Sequence, residues 1–182
     1  MDASMIMWEY RETFGCELLK LSMAEQAIHV DSTVITIGES GPIQINYQLE
    51  LDLKWKIKHV HIQSGGAMLH LISTGQGEWM DENGKRLDAL SGAVDIDISA
   101  TPFTNSLPIN RHDWEVGQTR DFEMVYIQVP SMALQKAQQS YTLLESNENR
   151  HFQYRSGGFQ SVITVDDCGL VHDYPQLFSR RC

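Results

Sequence analysis

Cysteine is scarce in this chain: three in 182 residues, Cys16, Cys168 and Cys182, with no Cys-x-x-Cys spacing. So sparse and odd a set excludes a disulfide scaffold or a zinc ribbon, and it predicts a reducing, cytoplasmic setting. No apolar run approaches the ~18 residues of a membrane helix, and the amino end has no basic lead followed by an apolar stretch, so neither a spanning helix nor a secretory leader is expected. Basic residues are in the minority, 14 against 24 acidic, for a formal net charge of −10. Such a chain has no basic stripe for counterion release, which argues against nucleic acid as a partner. Gly-x-Ser-x-Gly, Walker A and strand-borne Gly-x-Gly-x-x-Gly motifs are absent, and the cysteines lie in no recognisable catalytic setting.

What is present is alternation. A hydrophobic content of 42% over 182 residues suffices for one core, and a single domain over residues 1–182 is expected. From Ile43 to Ile57 apolar and polar residues alternate without a break, predicting a strand that would reach ~50 Å at ~3.3 Å per residue, so a bend is expected within it. The parity flips at His59 and His61, which predicts a bulge near Lys58. Further strands are expected at 5–11, 17–22, 27–37, 67–74, 77–80, 93–99, 122–129, 140–144, 151–155 and 160–165, separated by Gly, Pro, Asn and Ser turns. Only Ser131 to Gln139, rich in Ala, Gln and Met, has helical propensity, predicting one short helix. Asp81 to Asp88 and Asp166 to Asp173 share an Asp-acid-x-Gly-x-x-x-Asp pattern. Two readings stand: unrelated hairpin turns using the same residues, or two related half-sheets.

The segment from Val94 to Arg111, Val-Asp-Ile-Asp-Ile-Ser-Ala-Thr-Pro-Phe-Thr-Asn-Ser-Leu-Pro-Ile-Asn-Arg, has the composition of a site. On an extended strand Asp95 and Asp97 share one face, ~6–7 Å apart, a spacing that serves sugar hydroxyls, a cation or glycosidase chemistry equally well. A solvated strand face is the plain alternative. Pro102 and Pro108 restrict the loop that carries Thr101, Phe103, Thr104 and Asn105. Arg111 offers a planar fork for a carboxylate or phosphate, or an internal brace for the two acids. Trp8, Trp55, Trp79 and Trp114, with Tyr47, Tyr126, Tyr141 and Tyr174, can line an apolar pocket or fill a core. His59 and His61 have the i, i+2 spacing of some strand-borne metal sites, a weak signal in a chain with seven histidines. No metal and no cofactor is expected.

Asp95-Ile-Asp-Ile followed by Thr101-Pro-Phe-Thr-Asn-Ser-Leu-Pro and Arg111 resembles the signature of the bacterial family known as putative glycolipid-binding. Other fragments fall in the same order: Trp8, Gly15-Cys16-Glu17, Tyr47 to Trp55, Gly75 to Trp79, Gln139 to Thr142 and Gly169 to Pro175. The resemblance implies an all-β fold, an antiparallel half-barrel or spliced barrel similar to the lipoprotein-localisation factors. It also implies a role in binding an amphiphile.

Taken together, the expectation is an all-β antiparallel half-barrel with one short helix, its strands curved around a hollow that admits a glycolipid or lipid-like molecule. Trp55, Asp95, Asp97, Thr101, Phe103, Asn105, Arg111, Tyr126 and Tyr141 are the candidate ligand-binding residues, with no catalytic group among them. Two other readings stay open: a sugar- or lipid-directed hydrolase or isomerase using Asp95 and Asp97 with Arg111, and a module that holds a protein partner on its concave face.

Overall fold

A computed structural model describes residues 3–182. Their strands form one fourteen-stranded sheet built of two meanders. The first runs through β1 (Ala3–Tyr10), β2 (Gly15–Met23), β3 (Ile28–Gly38), β4 (Gly41–Leu51), β5 (Ile57–Ser64), β6 (Ala67–Ser73) and β7 (Trp79–Asp81). The second runs through β9 (Thr119–Gln128), β10 (Ala133–Ser146), β11 (Arg150–Ser156), β12 (Phe159–Val165), β13 (Val171–Tyr174) and β14 (Phe178–Arg180). Antiparallel pairing of β14 with β1, Tyr10 opposite Phe178 and Trp8 opposite Arg180, splices the two together. The all-β, mostly antiparallel half-barrel that the family resemblance implies is present, and no ladder joins its edge strands among the described residues.

β8 (Asp95–Ile98) is the exception, lying parallel to β9 with Asp97 opposite Tyr126. A parallel pair cannot be closed by a hairpin and needs a crossover of a dozen residues or more. Residues 99–118 supply it, and they carry a 3₁₀ turn, Phe103–Asn105, and the helix α1, Ser106–Arg111. Pro108 falls in the first turn of α1, where a missing N–H removes a donor that has no intrahelical partner.

The single short helix therefore lies at 106–111 and not at 131–139. That second segment is strand: β10 pairs with β9 from Ala133↔Gln128 to Thr142↔Thr119 and with β11 on its other side. The unbroken ladder with β9 through Ala133–Gln139, which β11 joins only from Gln139 onward, outweighs a weak local helical preference. The alternation from Ile43 to Ile57 also does not form one strand. Asp52–Lys56 is a hairpin loop in which the Asp52 carboxylate accepts from the Lys54 and Lys56 N–H groups and Trp55 takes a left-handed φ of 60°. The parity flip follows from this loop and from the register shift between Glu50 and Leu51. Asp81 and Asp166 head loops of the same kind, each with a glycine at the left-handed position, Gly84 and Gly169. The three loops share one backbone pattern, the Asp carbonyl accepting from the residue three on and the Asp N–H donating to the carbonyl four on.

The interior is not hollow. One cluster of buried side chains runs through both meanders, and Ala93 to Ile109 lies inside it, with Ile96, Ile98, Phe103, Leu107 and Ile109 all essentially inaccessible. Trp79 Nε1 donates to the Ala93 carbonyl at 2.7 Å, and Trp8 Nε1 donates to Val171 O at 2.8 Å, so both indoles are buried with their donors satisfied. Gly77 and Gly92 meet backbone to backbone, through a 2.9 Å hydrogen bond, where a Cβ on Gly77 would stand 3.0 Å from Gly92. Phe103 is fully buried, with Trp55 6.3 Å away between ring centroids. Phe103→Ala should therefore lower unfolding free energy by about 3–5 kcal/mol in urea titration, as expected for an aromatic cavity in a packed core. A loss under about 1 kcal/mol would show that the segment is not core.

Candidate functional site

Asp95 and Asp97 leave one face of β8 in different company. Asp95 is buried and accepts from Arg111 Nη2, with Asp95 Oδ1 and Arg111 Nε left without partners. Arg111 also stands over the Phe122 ring, 5.8 Å from its centroid. Burial raises the Asp95 carboxyl above its ordinary range, and the guanidinium, with Lys56 farther off, pulls it back. Arg111 is thus a brace held inside the protein. Asp97 is half-buried; its Oδ2 accepts from Gln139 Nε2 at 2.6 Å and its Oδ1 from Thr104 Oγ1 at 3.3 Å. Burial raises it too, and the two donors offset part of that rise.

Beside Asp97 opens a pocket of about 610 Å³ on the concave side of the second meander, between β8 and the β11–β12 and β13–β14 turns. Tyr126, Tyr154, Phe159, Tyr174 and Phe178 give it aromatic walls. The rings continue one another: Tyr154 to Tyr174 at 6.0 Å between centroids, Tyr174 to Phe178 at 6.0 Å, and Phe178 to Tyr10 across the seam at 4.9 Å. Asp97, Thr101 and Asn105 supply polar groups, and exposed Glu12 stands at the rim. Among the described residues no Lys, Arg or His lines it.

Four of the sequence-derived candidates, Asp97, Thr101, Asn105 and Tyr126, thus meet at one pocket. The other five stand behind or apart from it. Tyr141 is buried and donates to Asn105 Oδ1 at 2.9 Å, Phe103 is core, Asp95 and Arg111 pair with each other, and half-buried Trp55 sits at the β4–β5 hairpin. His59 and His61 lie on the outer face, where His61 pairs with His70 across β6. Among the described residues no three His, Cys, Asp or Glu side chains gather as a metal site, and no helix is long and apolar enough to cross a membrane.

One residue that the sequence reading passed over is Glu17. It is completely buried in β2, accepting from Ser32 Oγ at 2.7 Å and from the Tyr47 hydroxyl, while its Oε2 has no partner. Tyr47 OH in turn lies 3.1 Å from Thr101 Oγ1. Burial pushes the Glu17 carboxyl up to about 7 against the pull of the Tyr47, Thr101 and Ser32 hydroxyls. Strand parity would have found it: Lys20 and Ser22 claim the outer face of β2, which turns Glu17 inward with Leu19 and Leu21.

Over residues 5–180 the chain matches the family described as putative glycolipid-binding. It is similar to the crystal structure of a DUF1089 family protein from Pseudomonas aeruginosa, with 34% identity, 90% of this chain and 91% of that chain covered, and a TM-score of 0.79. No curated protein matches.

Two expectations come from the buried carboxylates. Arg111→Ala leaves Asp95 buried without its partner and should destabilise by about 3–5 kcal/mol, whereas Asp95→Leu with Arg111→Met should recover most of the loss in a urea double-mutant cycle. Additive losses would show that the pair does not interact. The unfolded chain releases the Glu17 proton in the ordinary carboxylate range, while the folded chain holds it to about 7. The folded state therefore binds more protons throughout that window. The stability that neutral Glu17 contributes is complete below it and is lost, on the order of 3 kcal/mol, as pH rises through it. Glu17→Gln should abolish this slope in denaturation curves measured across the window; an unchanged slope would assign it to another group.

Proposed function

The chain belongs to the family described as putative glycolipid-binding, and from that membership and the pocket beside Asp97 we propose that it binds an amphiphile with a neutral, hydroxyl-rich headgroup, without catalysis. The observation that carries this reading is the lining: aromatic walls around Asp97, Thr101 and Asn105, with Glu12 at the rim, further neutral polar groups from Ser99, Gln135 and Ser156, and no Lys, Arg or His among the described residues. Aromatic faces with convergent polar groups suit a sugar ring or the start of an acyl chain. Asp97 keeps free acceptor positions beside its two intramolecular donors and can take ligand hydroxyls, joined by Thr101, Asn105 and Tyr126. Asp95, Phe103, Arg111, Trp55 and Tyr141 support the loop from behind. A phosphate or carboxylate headgroup would face Asp97 and Glu12 without a compensating cation.

The hydrolase alternative needs two carboxylates converging on one substrate, and Asp95 is engaged by Arg111 below the pocket floor. The protein-partner alternative needs a broad open apolar face, whereas the concave side is occupied by residues 93–111.

Octyl glucoside, held below its micellar concentration and titrated by calorimetry, should bind the wild type. Asp97→Ala and Tyr126→Ala should each weaken it about tenfold or more while changing the unfolding midpoint little. Octyl phosphate should bind more weakly than the glucoside. Variants that bind like the wild type, or a preference for the phosphate, would overturn the proposal.

A further inference from the structure

Glu17 and the pocket are connected by hydroxyls alone. Tyr47 joins the Glu17 carboxylate to Thr101, which lines the pocket, and Thr101 Oγ1 also accepts from the Phe103 N–H at 3.0 Å. A threonine hydroxyl has one proton and two acceptor positions. With one acceptor position taken by Phe103, the direction of the Tyr47 bond decides what Thr101 has left for a guest.

We propose that Glu17 is a positioning residue of the pocket, setting through Tyr47 whether Thr101 presents a hydrogen-bond donor or an acceptor to the ligand. This rests on the binding role proposed above for the Asp97 pocket. An ionised Glu17 can only accept, so Tyr47 donates to it, the Tyr47 oxygen accepts from Thr101, and Thr101 is left with a lone pair for the ligand. A protonated Glu17 has no acceptor near Oε2. Its proton goes on Oε1, which the Ser32 and Tyr47 hydroxyls share, and the relay runs when Ser32 keeps donating and Tyr47 accepts the hydrogen bond from that proton. Tyr47 then donates to Thr101, and the Thr101 proton is freed toward the pocket. No bond other than hydrogen bonds changes, and the only proton exchanged with solvent is that of Glu17.

The surroundings leave this control to few groups. β1 contributes Tyr10, whose hydroxyl is engaged with the Ala100 carbonyl; β3 contributes Ser32, β4 Tyr47, and the crossover Thr101. Burial holds the Tyr10 and Tyr47 phenols well above their ordinary range, so neither ionises while Glu17 titrates. No cation is among the partners of Glu17. In the pocket, Asp97 is the other carboxyl shifted by burial, and Glu17 is not among the groups that shift it.

The test uses the whole chain as wild type, Glu17→Gln and Tyr47→Phe. Glutamine keeps an acceptor at Oε1 and mimics the ionised state at every pH; phenylalanine breaks the relay without touching residue 17. The ¹³Cβ resonance of Thr101, followed by NMR in the free protein, should titrate with the Glu17 carboxyl in the wild type and lose that step in both variants. Octyl glucoside, whose hydroxyls both donate and accept, should bind the wild type a few-fold tighter than Glu17→Gln at about pH 5, the worth of one neutral hydrogen bond, with the gap narrowing toward about pH 9. A Thr101 resonance that titrates unchanged in Glu17→Gln, or stays flat while Glu17 titrates in the wild type, overturns the inference. Failure of the glucoside to bind at either pH would sink the proposed function and leave the Thr101 titration to decide the role of Glu17.

Discussion

The central constraint of this fold is the parallel pairing of β8 with β9. Every other neighbouring pair of strands in the sheet is antiparallel, and the one parallel pair forces residues 99–118 to cross back over the concave side. That crossover cannot hang free, because its backbone and its Phe103, Leu107 and Ile109 side chains need burial and partners. Both meanders supply them. From the first come Trp79 to Ala93, Tyr10 to Ala100 and Tyr47 to Thr101; from the second come Gln139 to Asp97, Tyr141 to Asn105 and the Cys168 carbonyl to Asn110. The half-barrel is filled by its own chain, and the space that remains for a guest is a pocket beside the filling.

This arrangement separates the two acids that share a strand face. The carboxylate nearer the centre of the filling is neutralised by an arginine from the same segment, and the one nearer the rim is hydrogen-bonded by neutral groups and left facing outward. The two acids therefore do not converge on one point: Asp95 is held by Arg111, and Asp97 lines the pocket among aromatic rings. The same logic makes Glu17 notable, since it is a third buried acid placed where only hydroxyls can answer it.

The strands of the sheet were legible wherever one face is buried and the other wet. β2, β3 and β4 alternate cleanly, and pattern reading finds them. Two kinds of error came from physics that a local window does not contain. Ala133 to Gln139 lacks β-branched residues, yet its continuous ladder with β9 makes it strand. Asp52 to Lys56 continues the alternation while the Asp52 side chain turns the backbone around. β13 and β14 are too short for a period to show, and they matter through their partners. For the site, the Asp-Ile-Asp-Ile-to-Arg111 segment was readable as unusual, and its internal brace was among the readings it allowed. What alternation could not say was which side chains from β10 to β14 come round to meet it, because Tyr154, Phe159, Tyr174 and Phe178 reach the pocket through sheet curvature.

The seam between β1 and β14 has a consequence for synthesis on the ribosome. Tyr10 is made long before Phe178, so the wall that joins the two meanders is completed only once both meanders have emerged. Until then the earlier meander offers its trough, lined by Leu49, Val60 and Leu71, with the strand that partners its first edge still missing. Such an intermediate exposes both an unpaired edge and an apolar face, the two features that make nascent chains adhere to one another. Ordered maturation of this protein therefore depends on how quickly the crossover segment settles into that trough ahead of the final strands.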